Sequence, residues 1–198
     1  MQDIIKQGQN KNLTKLNLNY DGVKDRDEQA ENYLKIVNEK IGFIPNVLAA
    51  FAKFPKQFEG FTKLYNALML GESGLTKLER EMIAVTVSSE NHCFYCLVAH
   101  GAAVRELSND PQLGERLAAN FRSAELPKKQ ETLLNFSKKL TRDPSEISEN
   151  DRSDLRKAGY TDRDIWDISA IIGLFNMTNR LALATEMEPN DNYHNLAR

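Results

Sequence analysis

The sequence predicts an all-α protein, a helical bundle of about eight helices. Three observations lead to this prediction. Apolar residues recur at helical spacing along most of the chain, residues typical of helix starts and stops bracket these stretches, and no alternating apolar run is paired with a hairpin turn. The chain has 198 residues, which is enough to bury a core. We expect residues 1–25, which are polar, to form an arm and residues 26–198 to form a single helical domain.

The predicted domain begins with three helices whose limits are set by glycine and proline. Residues 27–41 carry one apolar stripe, and Gly42 ends that helix. Pro45 is placed to open a short helix that runs to Phe51, because the fixed backbone angle of proline suits the first helical turn. Pro55 opens the next helix for the same reason.

Two further helices are expected on either side of a short turn. Thr76 and Glu79 have the spacing of a capping box, so a helix begins there and is expected to run to about Ser89. Residues 91–92 form the turn, and the following helix covers residues 93–107.

The remainder of the chain contains four more predicted helices, each with a residue typical of a helix start. They start near Pro111, Pro127, Glu149 and Thr161. The last helix is expected to run to about Met187, and its apolar composition predicts a central position in the bundle.

Charge and composition exclude several functional classes. The formal net charge is −2, so no broad basic field favours binding to nucleic acid or to an anionic membrane. Hydrophobic residues make up 41% of the chain and charged residues 27%, which is ordinary for a soluble globular protein. Residues 165–183 are apolar but interrupted by charged and amide side chains, so no membrane-spanning helix is expected. Residues 1–19 show no secretory signal, and the simplest compartment is the cytoplasm.

The sequence contains only two cysteines, Cys93 and Cys96, which are separated by Phe94 and Tyr95. A secreted disulfide scaffold spreads many cysteines over distant loops. A disulfide between these two would close a tiny loop and would stabilise little of the fold. The pair therefore indicates redox chemistry, or part of a metal site.

The spacing around the cysteines predicts an acid–base arrangement. Cys96 and His100 are four residues apart and face one side of the helix, with Cys93 one turn earlier. Free backbone N–H groups in the first turn favour an anion and lower the pKa of a thiol, and His100 is placed to act as its base or ion-pair partner. Glu81 lies on the preceding helix and would orient His100 if the two helices pack antiparallel.

Other interpretations of these residues stay open. Cys93, Cys96 and His100 would give zinc three ligands, with His92 or Glu81 as a fourth. Structural zinc sites usually take a second ligand pair from a distant segment, and the chain has no second cysteine pair. The cysteines are also compatible with an inert buried pair, because free cysteine is common in protein cores.

Glu81, the Cys93–Cys96 pair and His100 together resemble the active-site pattern of the AhpD-like alkylhydroperoxidases, in the carboxymuconolactone decarboxylase-like superfamily. Residues 41–46 and 175–181 resemble flanking segments of its peroxidase-related branch, and the resemblance covers roughly residues 25–190. It implies an all-α homo-oligomer in which Cys96 attacks the peroxide and Cys93 resolves the sulfenic acid to a disulfide. It gives His100 and Glu81 the relay roles, and a dithiol or lipoyl-type partner then reduces the disulfide.

One position departs from the best-studied branch, where a relay histidine precedes the second cysteine. Here that position is Tyr95, which can pass a hydrogen bond but is a poor base at neutral pH. The leading hypothesis is a cofactor-free thiol peroxidase with antioxidant activity. The alternatives are a general thiol–disulfide oxidoreductase, a non-redox decarboxylase-type enzyme that uses His100 alone, and a zinc-stabilised binding module. No phosphate loop, haem motif or flavin fingerprint is present in the sequence, so no organic cofactor is expected.

Three polar residues on the last predicted helix also stand at helical spacing: Asn176, Asn179 and Arg180. We interpret them as groups that cap or pair buried polar atoms. The alternative is that they line the pocket or bind an anionic substrate.

Overall fold

The computed structural model describes residues 13–18 and 27–198. This part of the chain contains ten α-helices and no strand, and eight of the helices have at least seven residues. In chain order the helices are α1 Glu28–Ile41, α2 Asn46–Phe51, α3 Pro55–Tyr65, α4 Lys77–Glu90, α5 Phe94–Ser108, α6 Leu113–Asn120, α7 Lys128–Arg142, α8 Glu149–Lys157, α9 Asp162–Ala184 and α10 Asn192–Asn195. The predicted all-α class is confirmed.

The helix starts that the sequence marks most clearly are formed by side-chain caps. Thr76 with Glu79 begins α4, and Thr161 with Asp164 begins α9, each as a capping box. In each box the threonine hydroxyl accepts from the N–H three residues later, and the acidic side chain accepts from the threonine N–H. Gly42 ends α1 with φ of +81°, a backbone angle that glycine adopts without strain.

Two predicted helix limits are wrong. The helix expected from Pro111 begins at Leu113, because the Asp110 carboxylate accepts from the Gln112 N–H at 2.8 Å and caps a turn instead of the helix.

The last long helix ends at Ala184 and not at about Met187. Glu186 takes the left-handed conformation, with φ of +47°, and the Met187 N–H bonds back to the Ala182 carbonyl at 2.9 Å. This is a Schellman motif, although the left-handed position is occupied by a glutamate and not by the glycine that is usual there.

Helix α4 lies at the centre of the bundle and packs against α5, α6, α7 and α9. A turn of three residues joins α4 to α5, so the two helices run antiparallel. One apolar cluster fills the space between α4, α7 and α9, and eleven residues of α9 are buried, as its composition predicts. A second cluster lies between α1, α2, α3, α5 and the C-terminal segment, and it includes Cys93 and Cys96.

Part of the predicted N-terminal arm lies against the domain. Leu13 is 4% exposed, and the Lys15 N–H donates to the Thr185 carbonyl at 2.9 Å, just past the end of α9. The rest of residues 1–25 lies outside the described residues, so the division at residue 25 stays a prediction. None of the helices in the described ranges is long and apolar enough to cross a membrane.

Candidate active site

A cavity of about 420 Å³ lies inside the second apolar cluster. Its walls are mostly apolar side chains from α1, α2, α3, α5 and α9. Four of the five predicted site residues line it: Glu81, Tyr95, Cys96 and His100. The fifth, Cys93, is 1% exposed and is not part of the cavity wall.

Glu81 and His100 form a hydrogen-bonded pair across the α4–α5 hairpin. His100 Nδ1 lies 2.7 Å from Glu81 Oε2, and the two side chains are 14% and 13% exposed. An ionised carboxylate only accepts hydrogen bonds, so Nδ1 carries the proton and Nε2 is free to exchange one. The edge-to-face contact of His100 with Phe175, with ring centres 4.5 Å apart, holds the imidazole from the α9 side.

The two cysteines are free thiols at the start of α5. Cys93 is the N-cap residue, and its N–H donates to the Ser88 carbonyl at 2.9 Å, which fixes the turn between the helices. Cys96 lies in the first turn of α5 and is 4% exposed.

The ionisation of the two thiols is linked. A hydrogen bond from the Cys96 thiol lowers the pKa of Cys93 to about 7; burial opposes this, and the Cys96 N–H and His100 add to it. The hydrogen bond to Cys93 and burial raise the pKa of Cys96, whereas contacts with Asn179 and Ser88 lower it. We infer that the pair shares one thiolate near neutral pH and does not lose its second proton there.

Tyr95 supports the wall of the cavity. It is 4% exposed, its hydroxyl accepts from the Val47 N–H at 3.0 Å, and burial raises its pKa well above the ordinary value. The hydroxyl therefore ties α2 to α5 and keeps its own proton. A relay role for Tyr95 stays a prediction.

The structure does not assemble the ligand set of the zinc alternative. His92 is exposed in the turn and has a φ of +53°. Histidine is one of the residues that adopt this left-handed conformation more often than most. In the part of the chain that the structure describes, no three His, Cys, Asp or Glu side chains converge closely enough to hold a metal ion.

The position of two parts of the site could not be predicted from the sequence. Ser88 and Asn91 reach Asn179 at distances of 3.1 and 3.0 Å, and Ser88 and Asn179 contact Cys96. The helical spacing of Asn179 was visible, but nothing in the sequence identifies its partners on α4 and in the turn.

The C-terminal segment is the second such part. Tyr193 and Leu196 line the cavity, although the sequence there is polar and carries no helix pattern. Arg105 of α5, 5% exposed, donates to the carbonyl oxygens of both residues at 3.0–3.2 Å. The segment is thereby held over the same cavity.

Comparison with known proteins identifies related chains. Residues 55–128 match the model of the carboxymuconolactone decarboxylase family. An uncharacterised peroxidase-related protein from Silicibacter sp. TM1040 has a TM-score of 0.90 and 54% identity, with coverage of 94% of this chain and 96% of that chain. No protein of curated function matches the chain.

Two further solved structures are similar. A peroxidase-related protein from Ralstonia eutropha JMP134, described as an alkylhydroperoxidase AhpD core, has a TM-score of 0.89 and 36% identity, over 94% of this chain and 97% of that chain. The debrominase Bmp8 shares the fold alone, with a TM-score of 0.74 and 18% identity over 95% and 97% of the two chains. Since two relatives are 54% and 36% identical over nearly their whole length, this chain belongs to the carboxymuconolactone decarboxylase family, among its AhpD-like, peroxidase-related members.

Proposed function

We propose that the protein is a cofactor-free thiol peroxidase that reduces hydroperoxides through a dithiol/disulfide cycle of Cys93 and Cys96. The observation that carries this proposal is the shared cavity: Cys96 and the Glu81–His100 pair line it together, and Cys93 lies behind Cys96. A nucleophile, a proton carrier and a resolving thiol are the three groups that such a cycle needs.

The first step is attack of the Cys96 thiolate on the terminal oxygen of the hydroperoxide. The O–O bond breaks, the terminal oxygen stays on Cys96 as sulfenic acid, and the alkoxide takes a proton from His100 to leave as an alcohol. Glu81 stabilises the protonated imidazole before this transfer, since its carboxylate is hydrogen-bonded to Nδ1.

In the second step the Cys93 thiol attacks the Cys96 sulfur. The S–S bond forms, and the hydroxyl group leaves with the thiol proton as water. The two sulfurs have then lost two electrons, and the peroxide has become one alcohol and one water. An external dithiol, of the lipoyl type or another small dithiol, restores both thiols by exchange. We expect this cycle to operate in the reducing cytoplasm.

Before a substrate binds, the sulfur that ionises more easily is not the sulfur that the substrate can reach. The thiolate is more easily formed on Cys93, whereas the cavity exposes Cys96. Because the two thiols are hydrogen-bonded, transfer of one proton from Cys96 to Cys93 moves the charge to the accessible sulfur. That transfer also leaves Cys93 as the protonated thiol that the second step needs.

The apolar walls of the cavity favour a hydroperoxide with an organic substituent. Valine, leucine, phenylalanine and tyrosine side chains surround Cys96, and burial of an alkyl or aryl group against them contributes binding energy that hydrogen peroxide cannot gain. We therefore expect cumene hydroperoxide to be reduced with a lower KM than hydrogen peroxide.

The test is a count of free thiols on the reduced protein before and after one equivalent of cumene hydroperoxide. We expect both thiols to disappear with matching peroxide consumption. In Cys96→Ser no peroxide should be consumed, and in Cys93→Ser the sulfenic acid on Cys96 should be trapped by dimedone. Two thiols that persist in unchanged protein, with no peroxide consumed, would remove the peroxidase proposal.

A general thiol–disulfide oxidoreductase is the second candidate, supported by the thiol of Cys93 with its pKa near 7. It predicts rapid exchange with a disulfide substrate and no acceleration of peroxide reduction. A decarboxylase-type enzyme that uses His100 alone predicts instead that activity survives replacement of both cysteines.

A further inference from the structure

A chain of polar side chains crosses the bundle from solvent to the Cys96 sulfur. It begins at an exposed guanidinium on α9, passes three amide side chains and ends at a serine of α4 that, like the last amide, contacts Cys96. Its members are Arg180, Asn176, Asn91, Asn179 and Ser88. Both Asn179 and Ser88 are 0% exposed, so water does not compete for their hydrogen bonds.

The outer end of the chain fixes its direction. Arg180 Nη1 donates to Asn176 Oδ1 at 2.7 Å, and a guanidinium has no acceptor. The Asn176 amide nitrogen in turn donates to the Ile172 carbonyl at 3.0 Å, which can only accept. The oxygen of Asn176 must therefore face Asn91, which donates to it at 3.0 Å.

The direction continues to the sulfur. Asn91 Nδ2 also donates to Asn179 Oδ1 at 3.0 Å, so the nitrogen of Asn179 points the other way, toward Ser88 and Cys96. The Ser88 hydroxyl hydrogen is used by the Ala84 carbonyl at 2.7 Å, and its oxygen accepts one N–H of Asn179 at 3.1 Å. The second N–H of Asn179 is the donor that remains for Cys96.

We propose that Asn179 is a positioning residue that donates a hydrogen bond to the Cys96 sulfur and thereby favours movement of the dithiol's negative charge from Cys93 to the sulfur that faces the cavity. Asn91 holds the amide of Asn179 in the orientation that makes this possible. This inference rests on the proposed peroxidase function, because it explains how the buried pair presents its thiolate to a substrate.

The arrangement differs from a polar group that only fills the core. Replacement of a buried polar group together with its partners by apolar groups of the same shape can be nearly neutral, so packing alone does not require an amide at Asn179. The chain instead ends on a sulfur whose neighbour, Cys93, competes for the same charge. An N–H aimed at Cys96 favours charge on that sulfur, since hydrogen bonds to an ionised acceptor are about twice as strong as neutral ones.

The experiment measures which sulfur reacts first. Reduced protein is treated with a substoichiometric amount of iodoacetamide, and tandem mass spectrometry assigns the label to Cys93 or Cys96. Asn179→Asp keeps the volume and the bond from Asn91 but turns an oxygen toward Cys96. Asn91→Ala leaves Asn179 in place and releases its amide to rotate. Asn135→Ala is the matched control, a half-buried asparagine of α7 that also accepts from an arginine and donates to its own helix.

We expect unchanged protein and Asn135→Ala to be labelled mainly on Cys96. The ratio of Cys96 label to Cys93 label should fall by about tenfold or more in Asn179→Asp, and by a smaller factor in Asn91→Ala. The same ratio in all four proteins, or label mainly on Cys93 in unchanged protein, would overturn the inference. If Asn179→Asp does not fold, the labelling ratio of Asn91→Ala alone tests the inference.

The labelling result is separate from the test of the proposed function. Peroxide consumption by unchanged protein decides whether the protein is a peroxidase, whereas alkylation needs no peroxide. A shifted label in protein that consumes no peroxide would reject the peroxidase function and retain the role of Asn179 toward Cys96. Peroxidase activity with an unshifted label would reject that role alone.

Discussion

Two thiols that share a buried hydrogen bond behave differently from two isolated cysteines. Each thiol sets the ionisation of the other: the Cys96 thiol stabilises the Cys93 thiolate, and that thiolate opposes a second ionisation at Cys96. We therefore expect the pair to hold one proton and one negative charge once the pH exceeds the pKa of Cys93. In the proposed cycle, a dithiol in that state would have both a nucleophile and a protonated resolving thiol before the substrate arrives.

The lowered pKa gives a pH dependence that can be measured. Because the pKa of Cys93 is lowered to about 7, the dithiol gains its thiolate as pH rises through that value and not at the ordinary, higher pKa of a thiol. We expect the rate of total alkylation by iodoacetamide to rise with pH to a plateau above about pH 8. In Cys96→Ala, which removes the hydrogen bond to Cys93, the rise should move to higher pH. An unchanged midpoint in that variant would contradict the linkage.

The proposed delivery of a proton by His100 can be tested by replacing single residues. We expect His100→Gln to slow peroxide reduction by roughly 10²-fold or more, because the alkoxide then leaves without a positioned acid. Glu81→Gln keeps a hydrogen-bond acceptor for Nδ1 and removes the charge that stabilises imidazolium, so its loss should be smaller. Single-turnover rates of peroxide consumption measure both. Equal rates in His100→Gln and unchanged protein would exclude His100 as the acid.

The contact between Glu81 and His100 was predictable, whereas the contact between Asn179 and Ser88 was not. Glu81 and His100 are 19 residues apart on two helices joined by a short turn, so antiparallel packing of the two helices brings them together. Asn179 and Ser88 are 91 residues apart, and their contact depends on how α9 crosses α4. The sequence shows polar residues at helical spacing on α9, but a single sequence does not specify that crossing.

At the scale of elements, two glycines make a close approach between α5 and α6. A Cβ atom on Gly114 of α6 would lie 2.6 Å from the carbonyl oxygen of Gly101 of α5. The space is bounded by backbone, which cannot rotate away, so any side chain at Gly114 pushes α6 from the helix that carries Cys96 and His100.

Gly114→Ala should therefore destabilise the protein, by roughly 1–3 kcal/mol, through the forced separation of α5 and α6. Gly60→Ala is the matched control, since Gly60 is an exposed residue inside α3 and a Cβ atom added there would meet nothing within 4 Å apart from its chain neighbours and the backbone of its own helix. There alanine should stabilise by about 0.5–1 kcal/mol through its higher helix propensity. Urea unfolding of both variants measures the two changes. Stabilisation by both substitutions would show that the contact between the two glycines does not limit the packing of α5 against α6.

The starts of α4 and α9 were predictable from the sequence, whereas the end of α9 was not. The capping boxes at Thr76 and Thr161 are local, so three or four residues of sequence are enough to specify them. The Schellman end of α9 places Glu186 in the left-handed region, where glutamate has no intrinsic preference. Burial of Met187, 6% exposed, and contacts made by the following segment hold it there, and these are tertiary effects.

At the scale of the molecule, the cavity exists because distant parts of the chain close on α5. Asn190 of the C-terminal segment donates to the Ile44 carbonyl and accepts from the Asn46 N–H, at 2.9 and 2.8 Å. Arg105 holds the next residues through carbonyl oxygens. The segment thus binds α2 on one side and α5 on the other, and the cysteines lie beneath it. Its polar sequence gave no sign of this role, because its contacts are made by backbone and amide groups and not by an apolar stripe.

The outward face of α9 carries large apolar side chains that are exposed to solvent. Trp166 is 74% exposed and Met177 is 44% exposed, and they lie three helical turns apart on one face with the exposed Gly173 between them. Large apolar side chains grouped on an exposed helix face are typical of a subunit interface, and we expect the protein to form a homo-oligomer through this face.

Light scattering after size-exclusion chromatography should give a mass that is a multiple of the chain mass. Trp166→Glu should shift the protein toward the monomer, because a charge in an apolar interface loses its hydration without a partner. Leu107→Glu, at an exposed leucine of α5, is the control that should leave the mass unchanged. If Trp166→Glu and unchanged protein have the same oligomeric mass, the interface lies on another face. A monomer at all concentrations would reject the assembly itself and would leave Trp166 exposed to solvent.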